Sequence, residues 1–327
     1  MTHRQTPPGI ARPRGKAPIA LIAILAVVAI AVVLFFVLRG GGGGAAAKLA
    51  SAHIPAEAEF VGGVDVQGVL GSEMLKSMMA DKGVSLETVT AELAKHGIKL
   101  EDIKTVAFGA TLGSGDVPRQ FVAVGQGTFD GSALKAAIEG AKLAEAAATE
   151  GMAMPLTFDQ IEVIDPQTVV MGTADFVKKS LGIASGAEQS IDTRPELKDL
   201  RAAIDQGASL WMAGPVPEGV GALGALGMMG GGGLGKPTHF AISANVGADI
   251  KVRVAIHFAS GDAGAVASKV GQLLSFASAM AKGPEADVLS SLDISGSGQV
   301  LTASVTLSKA FIAEAAKKGG GGFGLPF

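Results

Sequence analysis

The sequence predicts an α+β protein: one N-terminal transmembrane helix, then two tandem repeats of β-α-β-β-α-β-β-α. That order contains the ferredoxin-like unit, and its natural packing is antiparallel sheets with helices on one face. Three observations carry the prediction. Ala17 to Leu38 is a run of 22 uncharged residues. Short strands of alternating pattern recur downstream with helical stretches between them. From the first long hairpin onward, the same order returns at an offset of about 131–135 residues, the signature of an internal repeat.

The composition supports a membrane connection. Of 327 residues, 48% are hydrophobic and 17% are charged, whereas a soluble domain carries about a quarter charged residues, so part of the apolar excess is expected to face lipid. The mean hydropathy is +0.41. There is no Cys, which excludes disulfides, thiolate metal sites and cysteine nucleophiles. With no Tyr and one Trp, stacking platforms for bases or sugars are hard to build.

The anchor comes first. Residues 1–16 form a basic tail with Arg4, Arg12, Arg14 and Lys16 and no acid. Residues 17–38 are long enough, at about 1.5 Å per residue, to cross a hydrocarbon core about 30 Å thick. A cleavable signal peptide has a shorter apolar region. Ala45–Ala47 offers a cleavage site, but the longer run favours an uncleaved signal anchor. Four basic residues before the helix, against Arg39 and Lys48 just after it, orient the N-terminus toward the cytoplasm. The expected location is the bacterial cytoplasmic membrane, with the C-terminal part extracytoplasmic. Beyond residue 39 there are 22 basic residues against 30 acids, a balance of −8. That argues against nucleic acid as a partner.

Residues 39–53 read as a Gly/Ala linker, 54–190 as the first repeat and 191–318 as the second. In the first, AEFVGGVDV (58–66) is a strand, followed by a helical stretch with Met74, Leu75, Met78, Met79, Leu86, Val89 and Leu93 at helical spacing. Strands follow at 105–112 and 120–126, a helix from Phe129, strands at 159–165 and 168–172, and a helix from Ala174. Arg194–Gln206 reads as a connecting helix. In the second, strands fall at 208–216, 238–246 and 250–258, Asp262 opens a helix, strands follow at 290–296 and 299–307, and a last helix starts after Ser308. Asp130 answers Asp262, and Thr173 answers Ser308, all residues suited to helix N-caps. Trp211, on the strand that opens the second repeat, is expected in the core.

Where the first repeat has its first helix, the second has Gly219–Gly235, GVGALGALGMMGGGGLG, too rich in glycine for a stable helix. It reads as a loop or as a hydrophobic contact surface with Leu223, Leu226, Met228, Met229 and Leu234. Residues 319–327, GGGGFGLPF, read as a Gly-rich tail that is either a free end or a tethered peptide whose Phe323, Leu325 and Phe327 dock on a partner.

Three catalytic or nucleotide motifs fail on context. Gly219–Gly224 matches GxGxxG, but prolines interrupt the turn and no helix can follow. Gly230–Lys236 resembles a P-loop, but Pro237 stands where Ser or Thr should bind magnesium. Ser132-Ala133-Leu134-Lys135 matches the SxxK of penicillin-binding proteins and β-lactamases, without its SDN or KTG partners. No nucleotide and no cofactor are expected. A three-residue turn at Gly247-Ala248-Asp249 puts His239 opposite His257, close enough for a shared metal or a pH-sensitive repulsion, although no third ligand is evident.

The segments IPAEAEFVGGVDV (54–66), VVMGTADFVKKSLG (169–182) and RPELKDLRAAI (194–204) resemble bacterial membrane-anchored extracytoplasmic proteins of unknown function. The resemblance implies a location and no activity or site residues. The leading expectation is therefore a single-pass membrane protein, held in the bilayer by residues 17–38, whose exterior part binds a partner or organises the envelope without catalysis. A carrier of lipid or another hydrophobic ligand through 219–235 is the second. The third is an enzyme with its site between the repeats, built on carboxylates such as Asp65 with Glu162 or Asp165.

Overall fold

The computed structural model describes residues 50–73, 76, 85–95, 98–113, 118–146, 160–205, 207–216, 235–280 and 284–312. The anchor, the glycine-rich segment 219–234 and the tail lie outside the described residues. Among the described residues, no helix is long and apolar enough to cross a membrane.

The protein is a mixed α+β fold built on one large antiparallel sheet. Its ten strands are β1 Phe60–Asp65, β2 Ile103–Leu112, β3 Pro118–Gly127, β4 Gln160–Asp165, β5 Thr168–Gly172, β6 Leu210–Pro215, β7 Pro237–Val246, β8 Ile250–Phe258, β9 Asp293–Ser297 and β10 Val300–Leu307. They lie in the order β4-β5-β3-β2-β1-β6-β7-β8-β10-β9. The sheet is continuous because β1 and β6 pair antiparallel at its centre, Val61 opposite Ala213 through Val64 opposite Leu210. Both strands are apolar on both sides and carry glycine, and the one charge, Asp65, stands at the end of β1, so neither has a charge along its length to protect an edge.

The described helices are α1 Val66–Leu70, α2 Leu86–Lys95, α3 Gly131–Ala146, α4 Ala174–Ala184, α5 Pro195–Ala203, α6 Ala263–Met280 and α7 Pro284–Ser291. The two aspartates cap as expected. Asp130 Oδ1 accepts from the backbone N–H of Ser132 at 2.8 Å and of Ala133 at 3.1 Å, and Asp262 Oδ1 from those of Gly264 at 2.8 Å and Ala265 at 3.3 Å. Ser308 accepts from the Phe311 N–H at 3.2 Å. Thr173 departs from the pattern, for its hydroxyl makes no cap bond and instead donates to the Phe121 carbonyl at 3.3 Å. Helix α7 was not expected, because PEADVLSS carries only two large apolar residues; its signal is Pro at the first helical position.

The helices do not share one face of the sheet. Val169 and Val170 are neighbours on β5, so their side chains point to opposite sides. Val169 is buried with Leu134 and Ile138 of α3, while Val170 is buried with Phe176 and Val177 of α4. On β8, Ala255 belongs to the cluster under α5 and Ile256 to the cluster under α6. So α3 and α6 flank one side, and α4 and α5 cover the other. The one-face expectation fails because these strands are apolar at consecutive positions, where alternation does not say which side a helix takes.

The fold also begins earlier than the composition suggested. Ala50 and Ser51 are fully buried, inside the stretch read as linker to residue 53, as is Ile54, the expected start of the first repeat. This segment presses on the α4 side of β2, where a Cβ on Gly109 would collide with Ile54 and Ala58. It is tied down by the Ile191 N–H to the Ile54 carbonyl at 2.8 Å and by Arg194 to the Ala58 carbonyl at 2.9 Å.

Candidate functional site

The side of the sheet that carries α3 and α6 is apolar across its whole middle. Strand pairing fixes three rows. One runs Phe121, Ala110, Phe60 and then, past the central junction, Gly214, Phe240, Ile256 and Leu301. The next runs Ala123, Phe108, Gly62, Met212, Ile242, Val254 and Ala303. The third runs Gly125, Val106, Val64, Leu210, Ala244, Val252 and Val305. Apart from the weakly accepting thioether of Met212, none of these residues offers a side-chain hydrogen bond. Helix α1 covers one end, packing Val69 on Leu210, and α3 and α6 stand over the outer strands.

Size and burial are inverted on β2. Its fully covered side carries Thr105, Ala107 and Gly109, whereas Val106, Phe108 and Ala110 on the apolar side stay half-exposed. Phe60, Phe121, Phe240 and Val254 are likewise only half-buried. Among the described residues, none of Phe60, Phe108, Phe121 and Phe240 joins a buried core cluster. The Phe108 ring tip occupies the space that a Cβ on Gly62 would take, and the Phe60 ring does the same at Gly214. Glycine at these two positions lets the rings lie down on the sheet. Phe60 and Phe240 meet with ring centroids 6.4 Å apart and planes tilted by 57°. The opposite side of β8 and β10 is polar, with Lys251, Arg253, Thr302, Ser304 and Thr306.

His239 and His257 do lie directly opposite each other, as the turn predicts, on the α4 and α5 side. His257 Nδ1 hydrogen-bonds the Thr238 hydroxyl at 2.9 Å. Among the described residues no group of three or more metal-capable side chains comes together. Burial holds the His239 pKa below its ordinary value of 6.5; Glu196 opposes that shift, while Arg194 and His257 add to it. Burial also lowers His53, against the opposing pull of Asp165. The unfolded chain therefore binds these protons more readily, so their contribution to stability is present above about pH 6.5 and is lost as pH falls below it. The urea midpoint is expected to drop between pH 7 and pH 5.5. His239→Gln should flatten that slope and His239→Gln with His53→Gln should flatten it further; an unchanged slope in both would refute the assignment.

The other candidates separate. Lys135 Nζ is 2.8 Å from Glu162, whose other oxygen accepts from Gln160 at 3.1 Å. The bond to Glu162 raises the Lys135 pKa, the reverse of what an SxxK general base requires. Asp65 accepts from the Gly68 N–H at 3.0 Å as the cap of α1, and Asp165 accepts from the Gln167 N–H at 2.8 Å in the β4–β5 turn. Strands β1 and β4 have β2, β3 and β5 between them, four strand spacings or roughly 19 Å, so Asp65 does not converge with Glu162 or Asp165. Trp211 is buried in the main core. After Lys236 the chain enters β7 and not a helix, which leaves the P-loop resemblance without its phosphate-binding terminus. Leu223, Leu226, Met228, Met229, Leu234, Phe323, Leu325 and Phe327 lie outside the described residues. The aromatic face was missed by the sequence reading, although the parity of Phe60, Gly62 and Val64 against Val106, Phe108 and Ala110 holds the signal.

No protein-family model matches the chain, and no curated protein matches it. Two solved structures of TP0453 are similar to it in part. Crystal form I gives a TM-score of 0.41 at 9% identity, covering 82% of this chain and 96% of that one. Crystal form III gives 0.40 at 11%, covering 82% and 97%.

Proposed function

We propose that the chain is a single-pass protein of the bacterial cytoplasmic membrane whose extracytoplasmic part is a non-catalytic binding module. Residues 17–38 anchor it with the N-terminus in the cytoplasm. The exterior part is two tandem repeats, 54–190 and 191–318. In support, β1–β5 run outward from the central junction as 1-2-3-5-4 and β6–β10 as 6-7-8-10-9, with Asp130 and Asp262 opening matching helices. The observation that carries the binding reading is the apolar side of the sheet. Phe60, Phe108, Phe240 and Val254 stay only half-buried there, around the buried Met212, Ile242 and Leu210, and monomeric soluble proteins rarely present an apolar patch without a use for it.

The anchor is tested in bacterial cells. The full chain is expected to stay with membranes through alkaline carbonate. In spheroplasts, external protease should remove a C-terminal tag and spare an N-terminal one. Deleting 17–38 should move the protein to the soluble fraction. Carbonate release of the full chain, or a protected C-terminal tag, would overturn the topology.

A further inference from the structure

We propose that the middle of the apolar side, around Phe60, Phe108, Phe240 and Val254, seats the acyl chains of a phospholipid drawn from the bilayer that holds the chain's own anchor. The inference rests on the membrane-anchored reading and names its ligand. Three properties select acyl chains. Apart from the weakly accepting thioether of the buried Met212, the rows contain no side-chain donor or acceptor, so an occupant with polar groups would bury them unpaired, which is unfavourable. The central strands already spend their main-chain groups on neighbouring strands, so a peptide cannot add as a strand there. An acyl chain asks for neither. The rings of Phe60 and Phe108, laid down over Gly214 and Gly62, present aromatic faces to it.

The tether supplies the source. Ala50 is buried and the anchor read from the sequence ends at Leu38, so at most residues 39–49 join them. Fully extended, at about 3.3–3.6 Å per residue, they reach roughly 36–40 Å. The tether enters on the α4 side of the sheet, and its length keeps the sheet as a whole beside a bilayer, where acyl chains are the most abundant apolar material. The acidic balance of the exterior part disfavours holding on to anionic headgroups, which leaves the chains as the recognised portion.

The test places the full-length protein in nanodiscs of phosphatidylethanolamine and phosphatidylglycerol containing a phosphatidylcholine with a diazirine near the end of one acyl chain. After illumination, labelled peptides are mapped by mass spectrometry. Label is expected on the peptides bearing Phe60, Phe108 and Phe240 as well as on 17–38. Phe240→Asp should lower the label on the sheet about tenfold, the effect of withdrawing one large apolar side chain from the contact, with the anchor label unchanged; its melting temperature shows whether it folds, and the wild-type map stands without it. Label confined to 17–38 overturns the inference and leaves the anchor standing. Label nowhere overturns both. Equal label on the polar side around Lys251 and Thr302, or a dimer that excludes the probe from the apolar side, also overturns it.

Discussion

Phe176→Ala is expected to lower the unfolding free energy by about 3–5 kcal/mol, the range for emptying a fully buried aromatic site. Phe176 is fully buried and sits with Val177 and Ser180 on the inner face of α4. It shares its cluster with Val122 and Val124 of β3, Val170 of β5, and Ile54 and Ile191 from the flanking segments. These neighbours are themselves fixed, two by the bond from Ile191 to Ile54 and the rest by the sheet ladder, so the site collapses poorly and most of the cavity term remains. Phe176→Leu should cost much less, and Lys178→Ala, on the exposed side of the same helix, should stay within about 0.5 kcal/mol of wild type. A urea midpoint for Phe176→Ala close to that of Lys178→Ala would mean that α4 is not packed as described.

The second large effect is expected at Arg201. From α5 this side chain reaches three parts of the chain at once. One terminal nitrogen pairs with Asp192, the other donates to Ser51 at 3.0 Å, and the guanidinium lies 4.6 Å from the centre of the Trp211 ring. Ser51 is fully buried and Arg201 is 13% exposed. Charge-assisted bonds contribute about 1.5–3 kcal/mol each, and the contact over a ring about 1 kcal/mol. Because Asp192 is 32% exposed, water replaces part of its bond. Arg201→Leu is therefore expected to cost about 2–4 kcal/mol. Arg201→Lys should recover only part of that, since one ammonium cannot serve Asp192, Ser51 and the ring plane together. Trp211 is the chain's one tryptophan, so native fluorescence reads the site directly: both variants should shift its emission. Unshifted emission with wild-type stability would remove Arg201 from this role.

What the sequence made legible were features decided by a few neighbouring residues. The turn at Gly247-Ala248-Asp249 set the β7–β8 register through to His239 opposite His257, and Asp130 and Asp262 marked two helix starts. Features assembled from distant segments were not legible. That β1 and β6 pair could not be read from FVGGVD and LWMAGP, because strands apolar on both sides are compatible with the centre of one sheet or of two. The side taken by α3 depended on Val169 rather than Val170, two adjacent and equally apolar residues. The candidate site was harder still, since its rows draw single residues from strands spread between positions 60 and 305. The segments that looked suspicious in sequence, 219–235 and 319–327, gave no hint that an apolar surface also forms where the pattern looked like ordinary strand interior.

The central β1–β6 pairing also sets a clock for synthesis. Strand β1 ends at Asp65 and its partner begins at Leu210; at about 5–20 residues per second, the ribosome takes roughly 7–30 s to supply that partner. Through that interval β2 can protect one edge of β1 while the other stays open. The two glycines of FVGGVD, and its length of six residues, make it a poor template for stray strand addition, so Gly62, which lets the Phe108 ring lie flat in the finished sheet, also helps keep its unfinished half from being captured.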